Sequence, residues 1–176
     1  MRGLFGNLRR RSSNDSKRIC AVEMDFPMSR TIPSKTNSAS PYHSFTSHVV
    51  IPARLASTRL PRKLLLSETG KTVIQHTYES ASRARRPAGV TVAVDSEEMA
   101  QAVEAFGGQC IMTDSRLPSG TDRVAFVARQ MPEVDIFVNM QGDEPEICPD
   151  AIDNVAGLLE SDPTAQIATL CVPIRD

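Results

Sequence analysis

The chain has 176 residues, 40% of them hydrophobic and 23% charged, and a formal net charge of -1 at pH 7. These values are those of an ordinary globular protein that is long enough for one domain with a real core. The balanced charge excludes a global basic field for nucleic acid or an acidic membrane surface, and no apolar run approaches the roughly 20 residues of a membrane helix, so we expect neither as a partner.

The first segment, residues 1–46, differs in composition from the rest of the chain. Three arginines at positions 9–11 lead into a stretch rich in Ser, Thr and Pro that has no sustained helical or strand period. Such a segment buries too little apolar surface to offset the entropy of ordering it, which predicts a disordered or misannotated N-terminal extension. The apolar core of a secretory signal is absent, and Asp15, Glu23 and Asp25 argue against an organelle transit peptide.

From residue 48 onward, short apolar runs alternate with segments of helical period. The predicted strands span residues 48–51, 90–94, 110–112, 135–140 and 166–172. The predicted helices span residues 72–84, 97–106, 120–130 and 149–160. This alternation predicts an α/β domain over residues 47–176, with a mostly parallel sheet and helices on both of its faces.

Cysteine usage indicates the compartment. None of the four cysteines stands at the C-x-x-C spacing of a metal site. Their neighbours are strand-like, so we expect buried, unpaired thiols and a cytoplasmic location, where reducing conditions keep thiols free.

The first polar cluster follows the first strand of the predicted domain. It contains Arg54, Arg59, Arg62 and Lys63 and no acid. Ligands of parallel sheets bind outside the carboxyl ends of the strands, and arginine forks with a mobile lysine charge suit a triphosphate there. Since no glycine-rich phosphate motif is present, side chains rather than backbone amides would hold the phosphates. On charge alone, a solvated basic loop is an equal alternative.

Two further clusters stand where a helix opens and where a strand ends. Ser119 or Thr121 could simply cap the helix, or the small residues around Gly120 could let a ligand approach closely. Gly142 and Asp143 follow the apolar strand 135–140. An acid there, facing a cationic loop, is the expected place for Mg²⁺, which prefers one or two carboxylates with phosphate oxygens and water, although an isolated Gly-Asp is otherwise an ordinary turn.

Three ordered motifs carry a family resemblance. They occupy residues 51–61 (Ile-Pro-Ala-Arg-Leu-Ala-Ser-Thr-Arg-Leu-Pro), 119–123 (Ser-Gly-Thr-Asp-Arg) and 138–145 (Val-Asn-Met-Gln-Gly-Asp-Glu-Pro). From about residue 48 to residue 176, the chain closely resembles the 3-deoxy-manno-octulosonate (Kdo) cytidylyltransferases, or CMP-Kdo synthetases. The related sialic-acid cytidylyltransferases share the basic loop, but the second half of the first motif and the third motif resemble the Kdo branch.

The resemblance implies both a fold and a reaction. The implied fold is a Rossmann-like, three-layer α/β nucleotidyltransferase of the nucleotide-diphospho-sugar transferase type. The implied reaction transfers CMP from CTP to the anomeric hydroxyl of Kdo, releases pyrophosphate and feeds lipopolysaccharide synthesis. Mg²⁺ is the implied cofactor, CTP and Kdo are the implied substrates, and the family is homodimeric.

The resemblance also implies roles for residues of this chain. Arg54, Lys63 and Asp143 would be catalytic, with Asp143 holding the metal. The CTP-binding set would be Ala53, Arg54, Arg59, Lys63, Ser119, Gly120 and Gln141.

The chain departs from the family pattern in several places. Arg62-Lys63-Leu64 stands where the family has Gly-Lys-Pro, Arg116-Leu117-Pro118 replaces a stretch with an Asp-His pair, and Val94-Asp95-Ser96 replaces Thr-Asp-His. The resemblance further implies a C-terminal part beyond residue 176 that supplies the Kdo pocket, a second metal carboxylate and most of the dimer contact. We therefore expect a partial enzyme. The alternatives are a non-catalytic CTP-binding remnant and a cytidylyltransferase for another sugar acid, such as sialic acid.

Overall fold

A computed structural model describes residues 18–22, 45–56 and 60–171, with the backbone alone for residues 18–22. Its strands are β1 (Arg18–Val22), β2 (Ser47–Ala53), β3 (Val90–Val94), β4 (Cys110–Met112), β5 (Ile136–Met140) and β6 (Ile167–Thr169). Its α-helices are α1 (Val73–Ala81), α2 (Glu97–Glu104), α3 (Gly120–Gln130) and α4 (Pro149–Ser161), and a short 3-10 helix spans Lys63–Leu65. No helix among the described residues is long and apolar enough to cross a membrane.

The six strands form one sheet in the order β4-β3-β2-β5-β1-β6, and every strand pair in it is parallel. On one face, α1, α2 and α4 pack over a core that includes Ile51, Ile74 and Ile152, all fully buried. On the other face, α3 packs over a smaller core around Val50 and Phe137. The prediction of a mostly parallel α/β sheet with helices on both faces is therefore confirmed.

Local signals explain where the helices begin and end. Thr72 caps α1 by accepting a hydrogen bond from the Gln75 amide, and Ser96 caps α2 by accepting one from the Met99 amide. Such caps satisfy amides that have no partner within the helix. Gly107, just beyond α2, has a φ of 79°, a left-handed conformation that glycine adopts without a steric penalty.

One strand contradicts the expectation from sequence. Residues 1–46 are predicted to be disordered, but Arg18–Val22 forms β1, which lies between β5 and β6. The prediction is wrong at these five residues because their partners, such as Ile136 and Ile167, stand more than a hundred positions away. A window of local composition carries no information on such long-range pairing. The rest of the predicted extension lies outside the described residues, and the domain boundary stays a prediction.

Candidate functional site

The loops after β2 and β5 meet at the carboxyl end of the sheet. Between them lies an open cleft of about 150 Å³ lined by Arg54, Lys63, Leu64, Gly142 and Asp143. The three residues expected to be catalytic therefore line one cleft, although they come from loops that are 80 positions apart in the chain. Sites for whole small-molecule ligands usually measure about 300 Å³ or more, so the cleft by itself has room for only part of such a ligand.

An ion pair spans the cleft. Lys63 Nζ donates to Asp143 Oδ2 at 2.6 Å, and the two side chains are 41% and 42% exposed. An exposed pair of this kind contributes only about 0–1 kcal/mol to stability. Breaking the pair therefore costs little free energy, so Lys63 can pair with a phosphate and Asp143 with a cation instead.

The backbone before Lys63 explains one departure from the family pattern. Arg62 has a φ of 56°, and it is the one residue other than glycine with a positive φ in the part of the chain described. A left-handed conformation costs an ordinary residue about 1–2 kcal/mol, which explains why glycine suits this position. The Arg62 side chain forms an ion pair with Glu98 at the start of α2, so the loop is tied to a helix.

Gly142 brings the two loops close together. A Cβ atom at this position would lie 3.2 Å from the carbonyl oxygen of Pro52 and 3.1 Å from Leu64 Cδ1. The Thr77 hydroxyl of α1 donates a hydrogen bond to the Gly142 carbonyl at 2.9 Å. The turn that presents Asp143 is thus held from two sides, and a larger residue would push it away from β2.

The second polar cluster opens α3. Ser119 Oγ accepts a hydrogen bond from the Asp122 amide at 3.1 Å, and the Asp122 carboxylate accepts one from the Ser119 amide. Ser119 rather than Thr121 is therefore the cap, and its side chain is engaged in a capping box. A Cβ at Gly120 would lie only 3.1 Å from Pro52 Cγ. The start of α3 therefore packs closely against the end of β2.

The remaining residues of the expected site are placed as follows. Ala53 is the buried last residue of β2, and Gln141 is half-buried directly after β5, so both stand at the same end of the sheet. Arg59 lies outside the described residues. Arg116, where the family has its Asp-His pair, donates to Asp114 instead, and these hydrogen bonds lower the pKa of Asp114 to about 2.

Sequence reasoning missed a buried charge beneath the loops. Arg123 of α3 is 0% exposed, and its Nη2 lies 3.6 Å from Asp95 Oδ2 at the end of β3. Burial lowers the pKa of Arg123, while the charge of Asp95 opposes that shift. The available signal was an arginine on the apolar face of α3, directly before Val124, where a basic side chain needs an acidic partner.

The acidic groups near the cleft bear on a metal site. Within the described residues, no group of three or more His, Cys, Asp or Glu side chains could hold a metal ion by itself. Mg²⁺ does not require such a group, because it often uses one or two carboxylates with substrate phosphates and water. Asp143, which faces the cleft, fits that incomplete ligand set.

Comparison with known proteins identifies the family. The model of the cytidylyltransferase family matches residues 48–176. The 3-deoxy-manno-octulosonate cytidylyltransferase of Rhodopirellula baltica is 52% identical over 128 residues, which are 73% of this chain and 51% of that protein. The enzyme of the same name from Escherichia coli is 47% identical over 123 residues, 70% of this chain and 50% of that protein.

Solved structures agree with the sequence relatives. A structure of CMP:2-keto-3-deoxy-manno-octonic acid synthetase complexed with CTP is 46% identical and superimposes with a TM-score of 0.65 over 67% of this chain and 48% of that one. A cytidylyltransferase from Leptospira borgpetersenii, 22% identical, has the same fold with a TM-score of 0.59 over 68% of this chain and 50% of that one. The chain spans about half the length of the curated relatives that it matches. On the match over residues 48–176, the chain belongs to the cytidylyltransferase family.

Proposed function

We propose that this chain carries the CTP-binding part of an enzyme that transfers CMP from CTP to Kdo and releases pyrophosphate. The observation that carries the proposal is the cleft in which Arg54, Lys63 and Asp143 converge at the carboxyl end of a parallel sheet. Its charges suit a metal-bound triphosphate, and the relatives that the chain matches at 47–52% identity are named for this reaction. The cytoplasmic location and the oligomeric state stay predictions.

The triphosphate would be bound by an exchange of partners. In the structure, Lys63 and Asp143 neutralise each other across the cleft. On binding, Lys63 would turn to the phosphate oxygens, and Asp143 would be released to hold Mg²⁺. Arg54, which lines the cleft, would offer its guanidinium fork to phosphate oxygens as well.

Ala53, Gln141, Ser119 and Gly120 would contact the rest of the nucleotide. Since the Ser119 hydroxyl is engaged in the capping box, we assign the contact to the backbone of the Ser119–Gly120 turn. Gly120 has no side chain, so this turn packs directly against the Pro52 ring near the end of β2. Arg59 is included in the proposal as a supporting phosphate contact.

The reaction is a substitution at the α-phosphorus. The anomeric hydroxyl of Kdo would lose its proton to water as its oxygen forms a bond to that phosphorus. The bond to the oxygen bridging to the β-phosphorus would break, and pyrophosphate would leave with the electron pair. A bound Mg²⁺ would neutralise charge that develops on the phosphate oxygens. The residues of this chain would hold the triphosphate in line for attack, so positioning and charge neutralisation provide most of the catalysis.

Calorimetric titration with CTP tests the binding part of the proposal. We expect binding that requires Mg²⁺ and favours CTP over UTP and GTP. Asp143→Asn should abolish both tight CTP binding and its dependence on Mg²⁺. Asp150→Asn, which removes an exposed carboxylate of α4, should bind like the parent. An Asp143→Asn variant that binds Mg-CTP like the parent would contradict the metal role. Thermal unfolding should differ little among the three proteins, because the Lys63–Asp143 pair is exposed.

A second variant separates phosphate contacts from base contacts. Arg54→Ala should weaken CTP about 10- to 100-fold, the range expected for losing a charge-assisted hydrogen bond, and should weaken CMP much less. Arg129→Ala is the matched control, since Arg129 is exposed in the last turn of α3. Equal losses for CTP and CMP would place Arg54 away from the β- and γ-phosphates.

Pyrophosphate release tests the reaction. Release that depends on both CTP and Kdo would support the proposal. Mg-dependent CTP binding without release would favour a non-catalytic CTP-binding protein, and release with sialic acid or UTP would identify a different cytidylyl- or nucleotidyltransferase.

A further inference from the structure

A buried charge connects the segments that follow three strands of the sheet. The Arg123 guanidinium donates to the Thr113 hydroxyl and, at 3.1 Å, to the Asp114 carbonyl, both just beyond β4. Its Nη2 lies 3.6 Å from Asp95, just beyond β3. Asp95 in turn accepts a hydrogen bond from the Leu55 amide, just beyond β2, at 2.9 Å. One side chain of α3 thus contacts or is linked to the loops that follow β2, β3 and β4.

Stability alone does not account for this arrangement. Removing a guanidinium from water is expensive, and a buried ion pair often stabilises a protein no better than apolar residues of the same volume. In the described part of the chain, Arg123 Nε and Nη2 are buried without a hydrogen bond, so some of the guanidinium donors have no acceptor. A buried arginine with unpaired donors is therefore best explained by the groups around it, whose geometry it fixes.

The group that the network fixes is the peptide between Arg54 and Leu55. The Asp95 carboxylate is only 9% exposed, and one of its oxygens faces Arg123 while the other accepts from the Leu55 amide. That amide belongs to the residue directly after Arg54, which lines the cleft. A change in the orientation of Asp95 would therefore rotate the peptide that sets the direction of the Arg54 side chain.

We propose that Arg123 is a positioning residue for the nucleotide site: through Asp95 it fixes the Arg54–Leu55 peptide, so that the Arg54 guanidinium is held at the triphosphate cleft. The inference rests on the proposed function for its ligand but on the Arg123, Asp95 and Leu55 contacts for its geometry. Arg123 would not itself touch the phosphates. Its effect would be confined to ligands that use Arg54.

Hydrogen exchange of the Leu55 amide tests the geometry without any nucleotide. We expect Asp95→Asn, an isosteric change that removes the charge facing Arg123, and Arg123→Met, which removes the guanidinium, each to speed exchange at Leu55 by about tenfold or more. Exchange within β3 and at the centre of α3 should be unchanged. Arg129→Met is the matched arginine control and should leave Leu55 protected.

Titration with CTP and CMP tests the functional consequence. Both variants should weaken Mg-CTP about tenfold while changing CMP less than about twofold, because only the triphosphate depends on Arg54. The double variant should be no weaker than Arg123→Met alone, since both changes break one chain of contacts. A purely structural residue would instead lower both affinities together, in proportion to the loss of folded protein.

Two outcomes distinguish this inference from the function on which it rests. If the parent binds Mg-CTP and Asp95→Asn leaves both Leu55 exchange and the CTP-to-CMP affinity ratio unchanged, the positioning role is overturned and the proposed function stands. If the parent binds no nucleotide, the proposed function fails, and the part of the inference that concerns the triphosphate fails with it. Should Arg123→Met not fold, the milder Asp95→Asn still decides the matter.

Discussion

The strands on the two sides of β5, namely β2 to β4 on one side and β1 with β6 on the other, are stabilised in different ways. On one side, every residue of β2 is buried, and the loops that follow β2 and β3 are linked by the Arg123 contacts. On the other side, β6 has three residues, pairs with β1 alone among the described strands, and exposes 75% of Ile167. The candidate nucleotide site lies on the buried side. Rigid, densely packed strands are the part of a fold that can hold charged groups in fixed positions.

The largest expected effect comes from two isoleucines with opposite surroundings. Ile51→Ala removes a fully buried side chain of β2 and should lower the free energy of unfolding by about 2–5 kcal/mol, through lost burial and the cavity that remains. Ile167→Ala removes the same atoms from an exposed position and should change the free energy of unfolding by less than about 0.5 kcal/mol. Urea denaturation measures both. Similar losses at the two positions would mean that β6 is covered in solution and that the contrast between the two sides is wrong.

The next effect concerns β1, the strand that joins β5 to β6. Cys20→Pro removes a backbone amide from a strand that is paired on both sides, and should destabilise this region by about 1–3 kcal/mol, the value for an unpaired buried backbone group. Amides of β6 should then exchange faster, while those of β3 should not. Cys20→Ala keeps the amide and is the control. Unchanged exchange in β6 would show that β1 does not support this edge.

β1 also shows where sequence reasoning reached its limit. The strand 90–94 and the helix 120–130 were predicted with the bounds that the structure has, because period and caps are local signals. The cleft residues Arg54, Lys63 and Asp143 could be predicted to meet, because strand ends of a parallel sheet lie on the same side. β1 has no such local signal, and the place of Arg123 on the apolar face of α3 indicates a buried charge without identifying Asp95 as its partner. Each depends on partners that only the tertiary structure brings together.

A smaller effect is expected at the helix that opens beside the cleft. Ser119→Ala removes the side chain that accepts from the Asp122 amide and should lower the free energy of unfolding by about 0.5–2 kcal/mol, the usual range for a lost N-cap. Thr121→Ala, in the exposed first turn of the same helix, should be close to neutral. Thermal or urea unfolding distinguishes them. An equal loss at Thr121 would contradict the assignment of Ser119 as the cap.

The smallest expected effect is a loss of stability that is absent near pH 8 and grows as the pH falls. His48 lies in β2 on the buried side of the sheet, where its Nε2 is 2.9 Å from Thr91 Oγ1. Burial lowers the pKa of His48 below its ordinary value of 6.5, while Glu133 opposes this more weakly. As the pH falls below 6.5, the unfolded chain takes up a proton at His48 that the folded chain resists, so stability should decline until the pH reaches the folded-state pKa.

Two variants isolate this contribution, because they should change the pH dependence in opposite directions. His48→Gln removes the titrating group and should flatten the fall in the free energy of unfolding between pH 7 and pH 5, measured by urea denaturation at each pH. Glu133→Gln removes the charge that favours protonated His48 in the folded state, so it should steepen the same fall. If His48→Gln kept the full acid sensitivity of the parent, another group would be responsible, and burial in β2 would not be what sets the titration of this histidine.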